Sequence, residues 1–223
     1  TGSLSYITTV VAAIVFNPSL DLRDLIICAM ITVWALRLGS FLFLRIKKDG
    51  QDKRFIVMKT KFTWFLMTWT IGGLWVLVTM AAGLAALTSN TTAELGLVSY
   101  LGIALWLFGF VVEVTADNQK TEFRKNPDNR NRFITTGVWS WSQHANYFGE
   151  ITLWFGMALV ALPVLSGWQL ATLISPVFVY FLLTKVSGIP LLDRLAKQKW
   201  GTDSDYLSYT QATSKLLLWP PKT

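Results

Sequence analysis

Cysteine and histidine are almost absent from this sequence, and with them the usual means of cross-linking a chain or binding a metal. The 223 residues contain one cysteine, Cys28, and one histidine, His144. A single cysteine excludes an internal disulfide and a cysteine-based metal site, so Cys28 is interpreted as a small core residue. A haem or zinc centre would also lack its usual ligands. No metal site is therefore expected.

Nucleotide-binding glycine motifs are missing as well, and charge is scarce. None of the 15 glycines belongs to a Gly-x-Gly-x-x-Gly pattern or a Walker-type loop. Charged residues make up 15% of the chain, whereas an ordinary soluble domain carries about a quarter. Any nucleotide must therefore be held by side chains, and the composition is unlike that of a soluble fold.

Apolar and aromatic residues are present in excess. Hydrophobic residues form 52% of the chain, 11 residues are tryptophan, and the mean hydropathy is +0.44. Three stretches carry no charge, namely Phe62–Ala93, Leu95–Val112 and Ile151–Thr184. The pattern predicts an all-α, polytopic transmembrane helix bundle, forming a single integral, multi-pass membrane domain over residues 1–223.

About six membrane spans are predicted, because one span needs about 20 predominantly apolar residues. Their approximate bounds are 4–17, 24–44, 62–87, 95–114, 146–165 and 168–187. The first is too short to cross comfortably, and the chain opens at Thr1 without an initiator methionine. We therefore expect a missing upstream segment, either a targeting peptide or a seventh helix.

Basic residues are distributed unequally between the predicted loops. Eighteen of the 20 lie in the segments 45–61, 115–145 and 185–223, whereas the opposite loops hold only Arg23. The positive-inside rule makes the basic face cytosolic or its organellar equivalent. Most of the charges behind the net charge of +7 are thus interpreted as membrane-flanking anchors in contact with membrane lipids, and a subset around the polar cluster could bind a phosphorylated cofactor from the cytosol. Since no basic and aromatic single-strand groove motif accompanies these charges, a nucleic-acid partner is not expected.

A polar cluster stands at the entrance to the uncharged stretch Ile151–Thr184. It contains His144, Asn146, Tyr147 and Glu150. A carboxylate leading into lipid is costly unless it is paired, hydrated or protonated, so Glu150 is a functional-site hypothesis. The simpler interpretation is that Glu150 only caps the first turn of a helix. Asn146 and Glu150 lie four residues apart, so in a helix they would project from one face.

Several motifs resemble one family. They are residues 116–123 (Ala-Asp-Asn-Gln-Lys-x-x-Phe), 137–139 (Gly-Val-Trp), 144–150 (His-Ala-Asn-Tyr-Phe-Gly-Glu), 186–192 (Val-Ser-Gly-Ile-Pro-Leu-Leu), Tyr206, Tyr209, 219–221 (Trp-Pro-Pro), and upstream Trp34-x-x-Arg37-Leu38 and Asp52-x-Arg54-Phe55. Together they resemble the carboxyl-terminal domain of the steroid 5-alpha-reductase family, and most closely its branch of uncharacterised function, DUF1295. The resemblance covers nearly the whole chain.

The resemblance implies an NADPH-dependent reductase of a conjugated carbon–carbon double bond in a lipophilic substrate, which is steroid-, sterol- or enone-like. The cofactor-binding half would be approximately residues 113–223. Asp117 and Arg124 would hold the adenosine and phosphate half of the cofactor, and Asn146 and Glu150 the nicotinamide carboxamide. By the same resemblance His144, Tyr206 and Tyr209 are candidate cofactor-binding residues.

Three positions depart from the family pattern. Gln143 replaces the usual arginine, Ala145 replaces the usual proline, and Thr213 stands near another cofactor-binding arginine of the steroid reductases. Two positive charges that could face phosphates are therefore missing, which bears directly on how strongly a cofactor is held.

Reduction of an enone also needs a hydrogen-bond donor on the carbonyl oxygen and a proton for the α-carbon. Four candidate catalytic residues are Tyr147, Glu113, Trp34 and Arg37. The alternative for Trp34 and Tyr147 is an aromatic belt at the membrane interface, and for Arg37 snorkelling or a carboxylate partner.

Two other function classes stay open. Isoprenylcysteine-type membrane methyltransferases share the His-x-x-Tyr-x-Gly pattern and use S-adenosylmethionine. Against them, Leu192 and Asp193 stand where paired glutamates are expected. The second alternative is a non-catalytic scaffold that keeps the fold as a subunit of a larger membrane complex.

Overall fold

The computed structural model describes residues 2–17, 19–49 and 61–221, and within them every regular element is helical. The α-helices are α1 (Gly2–Phe16), α2 (Leu22–Asp49), α3 (Phe62–Thr79), α4 (Ala81–Leu87), α5 (Leu97–Lys125), α6 (Ala145–Ala161), α7 (Ile174–Phe181), α8 (Ile189–Trp200) and α9 (Ser204–Ala212). Between them lie the 3-10 segments Pro127–Asn129, Gly137–Ser140, Leu162–Val164 and Gly167–Leu173 and the π-helical segment Leu182–Val186. The all-α prediction is confirmed.

Five helical stretches in the described part of the chain are long and apolar enough to cross a membrane. They are Leu22–Lys47, Phe62–Thr79, Leu97–Lys125, Ala145–Val164 and Gly167–Trp200. The chain is an integral, multi-pass membrane protein. Helix α1 has 15 residues, which at about 1.5 Å per residue is shorter than a hydrocarbon core of about 30 Å. Helix α1 corresponds to the first predicted span, 4–17, which the sequence had indicated was too short to cross comfortably.

Helix α5 is longer than predicted, since it runs to Lys125 and not to about residue 114. The segment that follows Glu113 is polar but contains no glycine or proline. The Thr121 hydroxyl donates to the Asp117 carbonyl at 2.8 Å, and Lys125 pairs with Glu122. The helix ends just before Pro127, because a residue that precedes proline disfavours the α conformation. Polar candidates of this segment therefore lie on a rigid helix and not in a loop.

The predicted span 62–87 is divided into α3 and α4 at Met80, whose φ and ψ angles are −93° and 5°. The Ser175 hydroxyl donates to the carbonyl of Thr79 at this break. Residues 50–60, with Lys53, Arg54, Lys59 and the pattern at 52–55, lie outside the described residues, as does Lys222.

The chain divides into two compact units. The first consists of Thr1–Gly102 and Met157–Ser175. Its core contains the fully buried side chains of Ile27, Ile31, Met80, Leu87 and Met157.

Arg23 is also fully buried within the first unit, at 1% exposure. Its Nη1 donates to Ser99 Oγ at 2.7 Å and to the Val160 carbonyl at 2.5 Å. Its Nη2 donates to the carbonyls of Ala93 at 3.1 Å and Glu94 at 2.9 Å. The one basic residue that the sequence places opposite the others thus joins helix α2 to two further segments of its unit.

The second unit consists of Ile103–Gly156 and Pro176–Thr223. A small core of Ala116, Ile134, Trp139 and Ala145 packs against Phe123, Val138 and Leu218. Every candidate site residue from Glu113 onward belongs to this unit. The prediction of one integral domain stays a prediction.

Candidate functional site

The polar cluster lies where helix α6 begins. The helix starts at Ala145, directly after His144, and contains no acidic residue in its first turn. Glu150 therefore lies beyond the position at which a carboxylate interacts best with the helix dipole. Because residues 146–150 are helical, Asn146 and Glu150 project from one face, one turn apart. Both side chains are half-buried.

Helices α5 and α6 approach closely at two glycines. A Cβ atom on Gly149 would lie 2.6 Å from the Gly109 carbonyl oxygen and 2.7 Å from the Glu113 nitrogen. Only glycine permits this approach, since real Cβ atoms do not come so near to other backbone atoms. The contact brings Glu113 of α5 beside α6. Asn146 Nδ2 then reaches Asp117 Oδ1 at 3.4 Å, a long hydrogen bond between the two helices.

The segment before α6 is held against α5 by Trp139. The Trp139 Nε1 donates to the Ala116 carbonyl at 3.0 Å, and Lys120 Nζ lies 4.4 Å from the centre of its ring. Gly137 has a φ of +64°, which favours glycine. Beside it, Gln119 Oε1 accepts from the Val138 amide at 3.0 Å. The motif at 137–139 therefore sets the path by which the chain enters α6.

Gln143 holds the carboxyl-terminal segment. Its Nε2 donates to the carbonyls of Thr210 at 3.0 Å and Thr213 at 2.7 Å. Its backbone amide donates to the Ser214 carbonyl at 2.9 Å. The neighbouring Ser142 hydroxyl donates to the Leu216 carbonyl at 2.7 Å. The glutamine that replaces the family arginine thus has a structural role that its sequence position did not indicate.

His144 is buried between polar groups and an aromatic ring. Its Nε2 lies 3.2 Å from Asp193 Oδ1, and the other carboxylate oxygen of Asp193 is paired with Lys215 Nζ. The ring stacks on Tyr147 with 5.8 Å between centroids and 9° between planes. Burial lowers the pKa of His144, and this effect outweighs the opposing effect of Asp193. The imidazole is therefore neutral at physiological pH.

A cavity of about 370 Å³ opens beside His144. Its wall contains four basic side chains, Lys120, Arg124, Arg132 and Lys199. Its aromatic side chains include Phe133, Trp139, Trp200, Tyr206 and Tyr209. Basic side chains bind phosphates, and flat aromatic side chains stack on a purine ring. The wall of this cavity contains both kinds.

The aromatic side chains of the cavity wall pack against one another. The ring centroid of Phe133 lies 5.2 Å from that of Tyr206 and 5.6 Å from that of Trp200. The Tyr209 hydroxyl donates to the Trp139 carbonyl at 2.6 Å. Burial raises the pKa of both Tyr206 and Tyr209, so both phenols stay protonated. Tyr209 is thus held in place, while Tyr206 is the tyrosine nearer to solvent.

The predicted site residues fall into three groups. Arg124, His144, Tyr206 and Tyr209 line this cavity. Asp117, Asn146, Glu150, Glu113 and Tyr147 belong to α5 and α6, and Asp117 accepts a hydrogen bond from Asn146, one of the two predicted nicotinamide residues.

Trp34 and Arg37 belong to the first unit. The Trp34 ring is buried and meets Tyr6 edge-on, with 5.1 Å between centroids, and the Arg37 guanidinium lies 5.2 Å from the Phe41 ring centre. Their catalytic roles stay predictions.

Sequence reasoning did not name Lys120, Arg132 or Lys199 as site residues, and it did not connect Asp193 with His144. Helical spacing could have identified Lys120, which lies four residues before Arg124 on α5 and therefore on the same face. Nothing in the sequence brings Arg132 and Lys199 to that face. Among the described residues, no three histidine, cysteine, aspartate or glutamate side chains cluster as metal ligands would.

Comparison with known proteins finds one family and one group of similar proteins. The sequence model of the family described as "Protein of unknown function (DUF1295)" matches residues 1–213. Three similar proteins are called 3-oxo-5-alpha-steroid 4-dehydrogenase 1. The Bos taurus protein is 33% identical over 31% of this chain, the Mus musculus protein 31% over 34%, and the Homo sapiens protein 34% over 27%.

The matched segments span only 27%, 28% and 24% of those three relatives, respectively. No solved structure matches the chain.

Proposed function

Because this chain belongs to the DUF1295 family, and because part of it is similar to proteins named as steroid 4-dehydrogenases, we propose that it is a membrane-embedded reductase. In this proposal it uses NADPH to reduce a conjugated carbon–carbon double bond in a lipophilic, steroid-, sterol- or enone-like molecule. The observation that carries the proposal is the basic and aromatic cavity beside His144. It supplies cations for phosphates and aromatic faces for a base, and two residues of its wall, Lys120 and His144, are close in the sequence to Asp117 and Asn146.

The cavity fits the phosphate-bearing half of the cofactor. Arg124, Arg132 and Lys199 provide cations for phosphate from three different segments of the cavity wall. The arginines that the family pattern has near positions 143 and 213 are replaced in this chain. These three cations supply positive charge in their place. Trp200 and Tyr206 offer aromatic faces for the adenine ring.

The junction of α5 with α6 fits the nicotinamide half. A carboxamide has an NH2 group to donate and an oxygen to accept, and Asn146 with Glu150 offers both kinds of partner on one helical face. The Asn146 amide uses one of its two N–H groups on Asp117, so its second N–H and its oxygen can bond a ligand. Asp117 orients that amide in our proposal, and Arg124 alone retains the phosphate role.

When bound, NADPH supplies a hydride for the β-carbon of the substrate. The protein must then stabilise negative charge on the carbonyl oxygen and provide a proton for the α-carbon. Tyr147 and a protonated Glu113 are the donors at the same end of α6, and Glu113 is 3% exposed. A neutral carboxyl group can donate a hydrogen bond, whereas a carboxylate can only accept. Trp34 and Arg37 of the first unit stay candidates for the same task.

A substitution of Arg124 tests the cofactor assignment. We expect Arg124→Ala to weaken NADPH binding by about 1.5 to 3 kcal/mol, roughly ten- to a hundredfold, because a charge-assisted contact to phosphate is lost. Lys125→Ala is the matched control. Lys125 is adjacent, exposed and paired with Glu122 outside the cavity. The dissociation constants can be measured by titration of the detergent-solubilised protein.

Thermal stabilisation by different nucleotides separates the function classes, since a ligand that binds the native state raises the melting temperature. The reductase proposal expects a rise with NADPH. A rise with S-adenosylmethionine alone would assign the chain to the methyltransferases. No rise in melting temperature with either nucleotide would favour the scaffold. The Arg124 and Lys125 variants should then not differ in their NADPH titrations.

A further inference from the structure

Asp193 connects three separate segments of the second unit. It lies in helix α8, receives a hydrogen bond on Oδ1 at 3.2 Å from His144, which precedes α6, and receives Lys215 of the carboxyl-terminal segment on Oδ2. Its side chain is 24% exposed, whereas that of His144 is 8% exposed. No motif of the sequence singled out this connection.

The connection decides which nitrogen of His144 carries the proton. Lys215 donates to Asp193, and a carboxylate that accepts from an ammonium has no proton of its own to donate. The bond between His144 and Asp193 therefore has Nε2–H as its donor. In the neutral ring Nδ1 is then a lone-pair acceptor. Within the described part of the chain, no group donates a hydrogen bond to Nδ1, and His144 lines the cavity.

We propose that Asp193 is a positioning residue that holds His144 with an acceptor nitrogen available to the cavity. The cavity then has two chemically distinct ends. Its acceptor end, at His144, takes a ligand hydroxyl or amino group, and its cationic end, at Arg124, Arg132 and Lys199, takes phosphate. This inference rests on the proposed function for the ligand, since it orients a nucleotide with its sugar or base at His144.

The charged groups that face His144 come from three elements, with Asp193 from α8, Lys120 from α5 and Lys215 from the carboxyl-terminal segment. Asp193 raises the pKa of His144, while the two lysines lower it. Removal of Asp193 and removal of Lys215 should therefore shift this pKa in opposite directions. These shifts follow from charge alone, so the tautomer of His144 is the measurement that reports the positioning role.

His144 is the only histidine of the chain, so histidine labelled with nitrogen-15 gives a single imidazole in the NMR spectrum. We expect the wild-type protein in detergent to show the tautomer protonated at Nε2. Asp193→Ala should populate both tautomers and lower the His144 pKa, because the nearby carboxylate that favours the charged ring is lost. Asp193→Asn, which keeps the side-chain size, should also lower the pKa. Asp193→Glu should restore the wild-type tautomer, and Lys215→Met should raise the pKa.

A wild-type ring protonated at Nδ1 would overturn the proposal, as would a His144 pKa that is unchanged in folded Asp193→Asn. A binding measurement addresses the two ends of the cavity separately. Asp193→Asn should weaken NADPH binding about tenfold and leave pyrophosphate binding unchanged. Equal losses for both ligands would contradict the two-ended cavity. If the wild-type protein does not bind NADPH, the proposed function fails, while the tautomer of His144 still decides whether Asp193 positions the ring.

Discussion

Arg23 of the first unit and His144 of the second are both buried polar residues, but they differ in what their polar atoms contact. The two terminal nitrogens of Arg23 donate to three backbone carbonyls and one serine hydroxyl, all within its own unit. His144 makes one side-chain hydrogen bond, to Asp193, and lines a cavity whose wall contains four cations. Arg23 has used its terminal donors on the fold, whereas His144 retains an acceptor.

The difference shows that burial of a charged or polar group does not by itself indicate a functional site in a membrane protein. A buried cation can be retained because backbone carbonyls at helix ends need donors that lipid cannot provide. The better indication is hydrogen-bonding capacity that remains available beside a cavity. His144 meets that criterion, whereas both terminal nitrogens of Arg23 are used on backbone carbonyls and on Ser99.

We expect the largest loss of stability from the removal of the Arg23 side chain. Arg23→Met should destabilise the protein by about 3 kcal/mol or more, because four oxygens lose a charge-assisted donor together. For a chain of this size that corresponds to a fall of roughly 6 to 12 °C in melting temperature. The protein that remains folded should bind NADPH as the wild type does.

Lys47→Met is the control, since Lys47 is exposed on the same helix α2. It should leave the melting temperature nearly unchanged. If the Arg23 variant were as stable as this control but bound NADPH less tightly, the contrast between the two buried residues would be wrong.

The second prediction concerns the close approach of α5 to α6. Gly149→Ala would place a Cβ atom within 2.6 Å of the Gly109 carbonyl oxygen, so the helices must separate. We expect a loss of about 1 to 3 kcal/mol of stability and weaker NADPH binding, since Glu113 and Asp117 would move away from Asn146 and Glu150.

Gly73→Ala in helix α3 is the matched control, because its added Cβ would meet nothing within 4 Å. Alanine is also the better helix former, by up to about 1 kcal/mol. The control should therefore be as stable as the wild type or more stable. Thermal melting and NADPH titration of both variants measure the difference.

The third prediction concerns a substitution that should impair function and leave the fold intact. Glu150→Gln keeps the size of the side chain and removes its charge, so the melting temperature should change little. Cofactor affinity or turnover should fall roughly tenfold, since a hydrogen bond to a charged group is worth about 1.5 to 3 kcal/mol. Unchanged affinity and turnover would favour a scaffold. A structure with the nicotinamide distant from Asn146 and Glu150 would refute the assignment.

The fold was largely predictable because hydrophobic length specifies membrane helices directly. The uncharged stretches located the long spans, and α1 was recognised as too short. The predicted end of α5 was wrong, since charge marks where a helix leaves the lipid and not where it stops. Its polar residues through Lys125 continue the helix.

The candidate site was only partly predictable. The motif at 144–150 gave the residues on one helix face, because four-residue spacing alone aligns Asn146 with Glu150. The partners of these residues come from distant segments. Asp117 reaches Asn146, Asp193 reaches His144, and Gln143 holds the carbonyls of Thr210 and Thr213.

The sequence by itself determined that this protein is an all-helical, multi-pass membrane protein of the DUF1295 family, because apolar length and local motifs are properties of consecutive residues. Only the tertiary structure decided which charges surround a cavity and which hold the fold together. Arg23 and Arg124 both lie near the end of a predicted span, and the sequence did not show which oxygens or how much space either guanidinium would meet. One donates to backbone carbonyls and the other lines the cavity beside His144, because helix packing determines which oxygens, and how much space, each guanidinium meets.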